Sequence, residues 1–207
     1  RYFSKTGCAA YGLGSNYLGG TAIRQDYFEE VIRWYGDRES PKQSIEECMI
    51  EHQHDPDAQD LWEYFRRVIA WVEKLFPTYR KEMKGLPWGI YYNRYHQYTY
   101  DPQALEQEVS RLMADDDVTK KSGIYQYVLE KGIGNNDPSV LNIRAFTDSQ
   151  KRTAYEQQGG VCASCGKKFD YKEMESDHIT PWCEGGKTEP QNLQMLCRDC
   201  NRRKGKK

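Results

Sequence analysis

The sequence has no apolar run long enough to cross a bilayer and no short apolar core of a secretory signal. Those absences exclude a helical membrane protein and point to a cytoplasmic one. There is no internal repeat and no low-complexity tract, so repeat architectures are excluded as well. Neither charge sign dominates: 30 Lys and Arg stand against 31 Asp and Glu. The chain also lacks an even set of cysteines. Of the seven, four stand in metal-binding spacing, which leaves Cys8, Cys48 and Cys183. Such usage fits a reducing compartment better than a disulfide framework. The glycines of the opening stretch, Gly12, Gly14, Gly19 and Gly20, match no phosphate-binding fingerprint. The first residue is Arg1 rather than Met, so a longer parent protein is expected.

What is present bounds the fold. With 207 residues the chain can form one large domain or two small ones. Aromatic residues make up 13%, 16 of them tyrosine, so a core can be built from rings rather than aliphatics. The near-zero net charge hides an asymmetry. Residues 151–207 carry 12 basic and 8 acidic residues, a net of +4, while residues 1–150 carry 18 and 23, a net of −5. A mildly basic end on an acidic body favours a polyanionic partner at that end.

Periodicity makes residues 1–137 a mainly helical region. Gly12 to Gly20 reads as loop and turn. Ile23, Tyr27, Val31 and Trp34 share one helical face. The strongest helical pattern runs through Leu61, Phe65, Val68, Ile69, Val72, Leu75 and Phe76, with Asp57 or Asp60 as cap and Pro77 beyond its end. Further helices are expected over 102–113, 123–130 and 150–158, and residues 134–138 read as the linker to a second domain over 138–207. His52 and His54 beside Asp55 and Asp57 are metal-capable residue types, but a polar helix-helix connection explains them better. Asp115-Asp116-Asp117 reads as an exposed turn or helix start rather than a cation site. The rings between Trp88 and Tyr100 suit helical packing, with base stacking as the alternative.

Chemistry concentrates at the C-terminal end. Cys162-x-x-Cys165 and Cys197-x-x-Cys200 have the spacing of paired zinc knuckles. A unit of residues 161–207 is too small to bury much apolar surface, and a bound metal is a usual remedy. Four thiolates leave no open coordination position, so this Zn²⁺ holds structure and chemistry comes from elsewhere. The 31 residues between the pairs include Asp177-His178 and a Gly185-Gly186 loop. His178 suits a general base near pH 7, and Asp177 offers a hard oxygen to Mg²⁺ or Mn²⁺. Adjacent residues on extended backbone project to opposite sides, so one can face a metal and the other a phosphate. Asn201, tied to the knuckle by Cys200, offers a second oxygen. Lys204 shares its helical face, and with Lys187, Arg202, Arg203, Lys206 and Lys207 it makes candidate phosphate contacts.

The run Cys162-x-x-Cys165, Asp177-His178-Ile179-x-Pro181, Gly185-Gly186-x-Thr188, Asn192-Leu193, Leu196-Cys197-x-x-Cys200-Asn201-x-x-Lys204 resembles an HNH endonuclease of the ββα-metal type, in its zinc-stabilised branch. The resemblance implies an α+β chain: a helical region followed by a small ββα-metal nuclease domain acting on DNA. It implies His178 as general base, Asp177 and Asn201 as ligands of the catalytic divalent ion, and Asn192 as the residue that pins the base-carrying loop. A broader resemblance rests on Asn16-Tyr17-Leu18-Gly19-Gly20, His52-Gln53-His54-Asp55, Leu61-Trp62, Met83-Lys84-Gly85 and Leu141-Asn142-Ile143-Arg144-Ala145-Phe146. These are similar to bacterial restriction-type proteins that join an N-terminal ParB-like domain, missing from this chain, to a helical middle and an HNH nuclease. A role in restriction or phage defence is what that likeness implies. Cuts on both strands need two active sites, so a homodimer is one expectation. A non-catalytic zinc module that binds nucleic acid is the alternative; it accounts for the cysteines and basic tail but not for Asp177, His178, Asn192 and Asn201 together.

Overall fold

In the computed structural model, which describes residue 3 and residues 7–21 and 25–205, the chain forms two units. The first comprises Arg1–Ala114 and Lys120–Leu141, the second Asp115–Thr119 and Asn142–Lys207. Ile23, Lys206 and Lys207 lie outside the described residues. The molecule is mostly helical with one small sheet, in keeping with an α+β class. Among the described residues no helix is long and apolar enough to cross a membrane.

The first unit contains seven helices among its described residues: α1 (Ala9–Gly14), α2 (Asp26–Gly36), α3 (Ile45–Glu51), α4 (Gln59–Leu75), α5 (Trp88–Tyr95), α6 (Pro102–Met113) and α7 (Ile124–Gly132). Helix α1 stands where the glycine-rich opening reads as loop; its Ala10 and Gly14 are buried against the aromatic core. Helix α3 starts at a reciprocal capping box, in which Ser44 accepts the Glu47 amide and Glu47 accepts the Ser44 amide. On α4 the periodic set Tyr64, Phe65, Val68, Ile69, Val72 and Leu75 is buried. The Asp57 carboxylate accepts the amide of Gln59 at 2.8 Å and so caps that helix from outside it. Pro102 occupies the first turn of α6, and Asp101 accepts the Gln103 amide at 2.9 Å. Residues 134–138, the expected linker, belong to this first unit, and the chain passes to the second after Leu141.

Rings make this core. Trp34, Trp88, Tyr64, Tyr125, Tyr127, Phe65 and Phe76 are all fully buried. Helix α5 comes so close to α2 that a Cβ at Gly89 would collide with the Trp34 indole. The buried Tyr64 and the half-buried Asn93 form a polar network within this core. The Tyr64 hydroxyl donates to Asn93 Oδ1 at 2.8 Å, and Asn93 Nδ2 donates to the Trp34 carbonyl at 2.9 Å. Trp88, Tyr91 and Tyr95 are likewise buried, so packing accounts for these three rings, whereas Tyr98 is exposed.

The second unit is built on β1 (Met174–His178) and β2 (Leu193–Cys197), paired antiparallel with Met174 opposite Cys197 and His178 opposite Leu193. Helix α8 (Asp148–Gln157) precedes them, opened by a capping box between Thr147 and Gln150. Helix α9 (Arg198–Lys204) follows β2 directly. Both α8 and α9 pack on the hairpin. The core joins Phe146, Ala154, Met174, Leu193, Met195 and Leu196 to three of the cysteines. Asp115–Thr119 completes the unit. Val118 pairs antiparallel with Ile143, and the Arg144 amide donates to the Asp117 carbonyl at 2.7 Å.

Candidate metal centre and acid-base site

The four thiols come from two turns. Cys162 opens a tight knuckle: its amide donates to the Lys167 carbonyl at 2.9 Å, and the Gly166 amide, at φ +69°, donates back to the Cys162 carbonyl at 3.0 Å. Cys197 caps α9 and Cys200 lies in its first turn. The Sγ atoms of Cys162, Cys165, Cys197 and Cys200 all lie within 4.8 Å of one another. A tetrahedron of zinc thiolates has edges of about 3.8 Å, so the donor set fits Zn²⁺. Burial works against ionising Cys162, but amides of Cys165 and Cys197 and of Ser164 outweigh it and hold the thiol at about 6. The Cys200 amide favours a Cys197 thiolate, yet burial and the neighbouring thiols push Cys197 up to about 11. Four such sulfurs lose their protons to solvent together only when a cation binds them. Among the described residues no other group of three His, Cys, Asp or Glu donors converges in this way. His52 instead pairs with Asp55 at 2.7 Å, as a polar helix connection should. Cys183 is exposed and stands apart from the thiol cluster.

Strand β1 carries the acid-base residues, and its alternation sorts them. Glu175 and Asp177 meet α9. Asn201 Nδ2 donates to Glu175 Oε2 at 2.7 Å, and Lys204 Nζ pairs with Asp177 Oδ2 at 2.5 Å. Gln194, opposite Asp177 in the sheet, donates to the same carboxylate oxygen at 2.8 Å. Asp177 and Asn201 therefore share one face of the hairpin, with Glu175 bonded to the latter. Sequence reasoning passed over Glu175; its place two residues before Asp177 on a strand was the available signal.

His178 has a different set of partners. Its ring lies 4.6 Å from the Phe146 ring, and its Nε2 is 3.1 Å from the Thr188 hydroxyl. The Thr188 hydroxyl donates its one proton to the Arg144 carbonyl at 3.1 Å. It therefore accepts from His178, which makes Nε2 the protonated nitrogen and leaves the Nδ1 lone pair available. Nδ1 makes no hydrogen bond among the described residues. Burial pushes the imidazole pKa below its ordinary value; Asp177 and Asp117 oppose that shift and Lys204 reinforces it.

Two clamps hold the loop between the strands. Asn192 is the inner one. Its Oδ1 accepts the Thr180 amide at 2.8 Å, and its Nδ2 donates to the carbonyls of Thr180 and Lys187, each at 2.9 Å. Gly185 takes φ +93°, and a Cβ at Gly186 would strike the Thr180 carbonyl and come 2.7 Å from Asn192 Nδ2. Both glycines are thus required by this turn. The outer clamp is the acidic segment. Asp117 Oδ2 accepts the Thr188 amide at 2.9 Å, and Asp115 pairs with Lys187 at 2.8 Å. Asp115 and Asp117 are each only 6% exposed, so the reading of this run as an exposed turn is corrected. Burial disfavours the charged form of Asp115, but the Lys187 ammonium, the Asp117 amide and Trp182 together lower its pKa. Sequence alone offers no sign of this, because two carboxylates are buried here only by virtue of partners far along the chain.

The candidate phosphate contacts divide accordingly. Lys187 and Lys204 are engaged by Asp115 and Asp177. Arg203 donates to Cys200 Sγ at 3.1 Å. Arg202 is exposed and makes no hydrogen bond or ion pair among the described residues.

Residues 162–207 match the family model for HNH endonuclease. The matched stretch holds the four cysteines, both strands, the loop and α9; it leaves out Phe146, α8 and Asp115–Thr119. A search of curated proteins returned no match to the chain. The match and the four-thiol cluster together fit an HNH domain of the zinc type, with nuclease or nucleic-acid-binding activity toward DNA.

Proposed function

We propose that the second unit is a metal-dependent DNA endonuclease in which His178 is the general base. The observation that supports this most directly is the imidazole with Nε2 committed to Thr188 and Nδ1 left with a lone pair. Nδ1 takes a proton from water, the water oxygen forms a bond to phosphorus, and the bond from phosphorus to one deoxyribose oxygen breaks, that oxygen leaving with the electron pair and taking a proton from solvent. Asp177 and Asn201 are the residues that would hold the divalent ion. Asn201 commits its Nδ2 to Glu175, which leaves Oδ1 as its oxygen donor. Mg²⁺ or Mn²⁺ bound there supplies charge stabilisation for the phosphate and the leaving oxygen. Lys204 pairs with Asp177 and keeps that carboxylate aligned along α9. Asn192 holds the loop that follows the base. Arg202 is the basic side chain best placed for backbone phosphate, having no internal partner among the described residues. The zinc staple carries no step.

Plasmid nicking with Mg²⁺ or Mn²⁺ tests the assignment. Wild type should nick and His178→Ala should lose about 10² to 10⁴ in rate. Equal nicking by both would leave the non-catalytic, zinc-stabilised binding module as the better reading. The biological setting we propose is restriction or phage defence, supported by the likeness of residues 16–20, 52–55, 61–62, 83–85 and 141–146 to restriction-type proteins that join a ParB-like domain, a helical middle and an HNH nuclease. Cleavage of modified against unmodified DNA by the full-length protein would test it; indifference to modification would count against a modification-dependent system.

A further inference from the structure

Thr188 bonds the proposed base, and the acidic segment that grips Thr188 lies outside the stretch matched to the nuclease family. Asp117 is separated from Thr188 by 71 positions, yet its side chain is buried and its Oδ2 accepts the Thr188 amide at 2.9 Å. Its backbone is locked on the other side, because the Asp117 carbonyl accepts the Arg144 amide at 2.7 Å. Arg144 in turn provides the carbonyl that takes the Thr188 hydroxyl proton. The guanidinium of Arg144 stands 3.8 Å from Asp117 Oδ1, a second contact between the same two residues. Three groups thus close a ring around Thr188: the Asp117 carboxylate on its amide, the Arg144 carbonyl on its hydroxyl, and His178 Nε2 on the remaining lone pair. One residue earlier in the loop, Lys187 is held by Asp115 of the same segment.

We propose that Asp117 is a positioning residue for the nuclease reaction, acting through Thr188 to hold His178 with Nε2 protonated and Nδ1 presented to water. The proposal rests on the reading of His178 as the base. Asp117 touches neither substrate nor ion in this scheme; it sets the orientation of the group that does. Without its carboxylate, the Thr188 amide loses its acceptor, the hydroxyl is free to turn from Arg144, and the imidazole is left with only its modest intrinsic preference between the two nitrogens. Asn192 cannot substitute, since its bonds go to Thr180 and Lys187 and none to Thr188.

Two readouts separate positioning from mere support of the fold. The first is the ¹⁵N signature of the His178 ring in the free protein at about pH 8, where an imidazole is neutral. Wild type should show a single Nε2–H tautomer. Asp117→Ala and Thr188→Val should show mixed tautomers, whereas Thr188→Ser, which keeps the hydroxyl, should restore the wild-type pattern. The second is plasmid nicking: Asp117→Ala should lower kcat about 10²-fold with KM little changed and zinc content intact. If Asp117→Ala does not fold, Thr188→Val against Thr188→Ser carries the same comparison. A wild-type ring protonated on Nδ1, or an Asp117→Ala protein with wild-type ring signature and kcat, would overturn the proposal. Failure of wild type to nick DNA would remove the nuclease reading alone, because the ring signature still reports whether Asp117 governs the tautomer.

Discussion

The two units reach stability by opposite routes. The first surrounds its helices with rings: Trp34, Tyr64, Phe65, Phe76, Trp88, Tyr125 and Tyr127 are fully buried there. The second has a short hairpin, two helices and a core in which Cys162, Cys197 and Cys200 stand among Met and Leu side chains. Aromatic burial scales with chain length, and a long helical region can supply it. A small unit cannot, so cross-linking by a metal takes over part of that role. The difference also suits their chemistry. A metal-stapled hairpin leaves its polar residues facing one another across short loops, where Asp177, His178 and Asn201 are held by neighbours rather than submerged.

The largest test of that contrast is to remove the staple. Cys197→Ser should lose zinc and unfold the second unit, since structural zinc contributes on the order of 10 kcal/mol or more to small sites. Metal analysis together with tryptophan fluorescence would check it. Loss of zinc with the Trp34 and Trp88 environments kept would confirm separate routes; a native-like melt with zinc retained would break the comparison. Next in size is Trp34→Ala, which empties a fully buried site against Gly89 and Asn93. It should cost the first unit about 3 to 5 kcal/mol while leaving zinc content unchanged, as read by denaturant melting.

Smallest is an acid effect. Glu108 on α6 is held at about 2 by hydrogen bonds from Arg111 and Lys131, against an opposing contribution from burial. Its folded value lies below its ordinary 4.5, so its stabilisation is complete above about pH 4.5 and drains away as pH falls toward 2. Allowing for partial exposure, Glu108→Gln should cost about 1 to 2 kcal/mol at pH 7 and flatten the acid limb between those values. An unchanged acid limb in thermal melts would show that the pair with Lys131 of α7 contributes nothing.

Legibility in the sequence followed the range of the interaction. Helix α6 was readable because Asp101, Pro102 and the apolar positions Leu105, Val109 and Leu112 lie within three turns of one another. Helix α3 carried an equally local signal in Ser44 and Glu47, and that signal was overlooked. Helix α5 was hidden for another reason: its rings at Trp88, Tyr91 and Tyr95 mark packing without declaring a period over so short a stretch. The two knuckles were readable because a C-x-x-C turn brings its sulfurs together by local backbone geometry alone. Asn192 became legible through family likeness, and the structure places its three hydrogen bonds on the loop after His178.

The four-thiol cluster, the adjacency of Asp177 and His178 on β1 and the helical character of the longer region were legible in the residue order, since each depends on spacings of a few residues. The fold alone brings Asp115 and Asp117 to the loop that follows His178, the Thr188 hydroxyl to the imidazole and Glu175 to Asn201. The Glu175–Asn201 and Asp117–Thr188 contacts join positions 26 and 71 apart. No local period records such pairings; they arise when a buried carboxylate must find a partner, and the folded chain determines which partner is within reach.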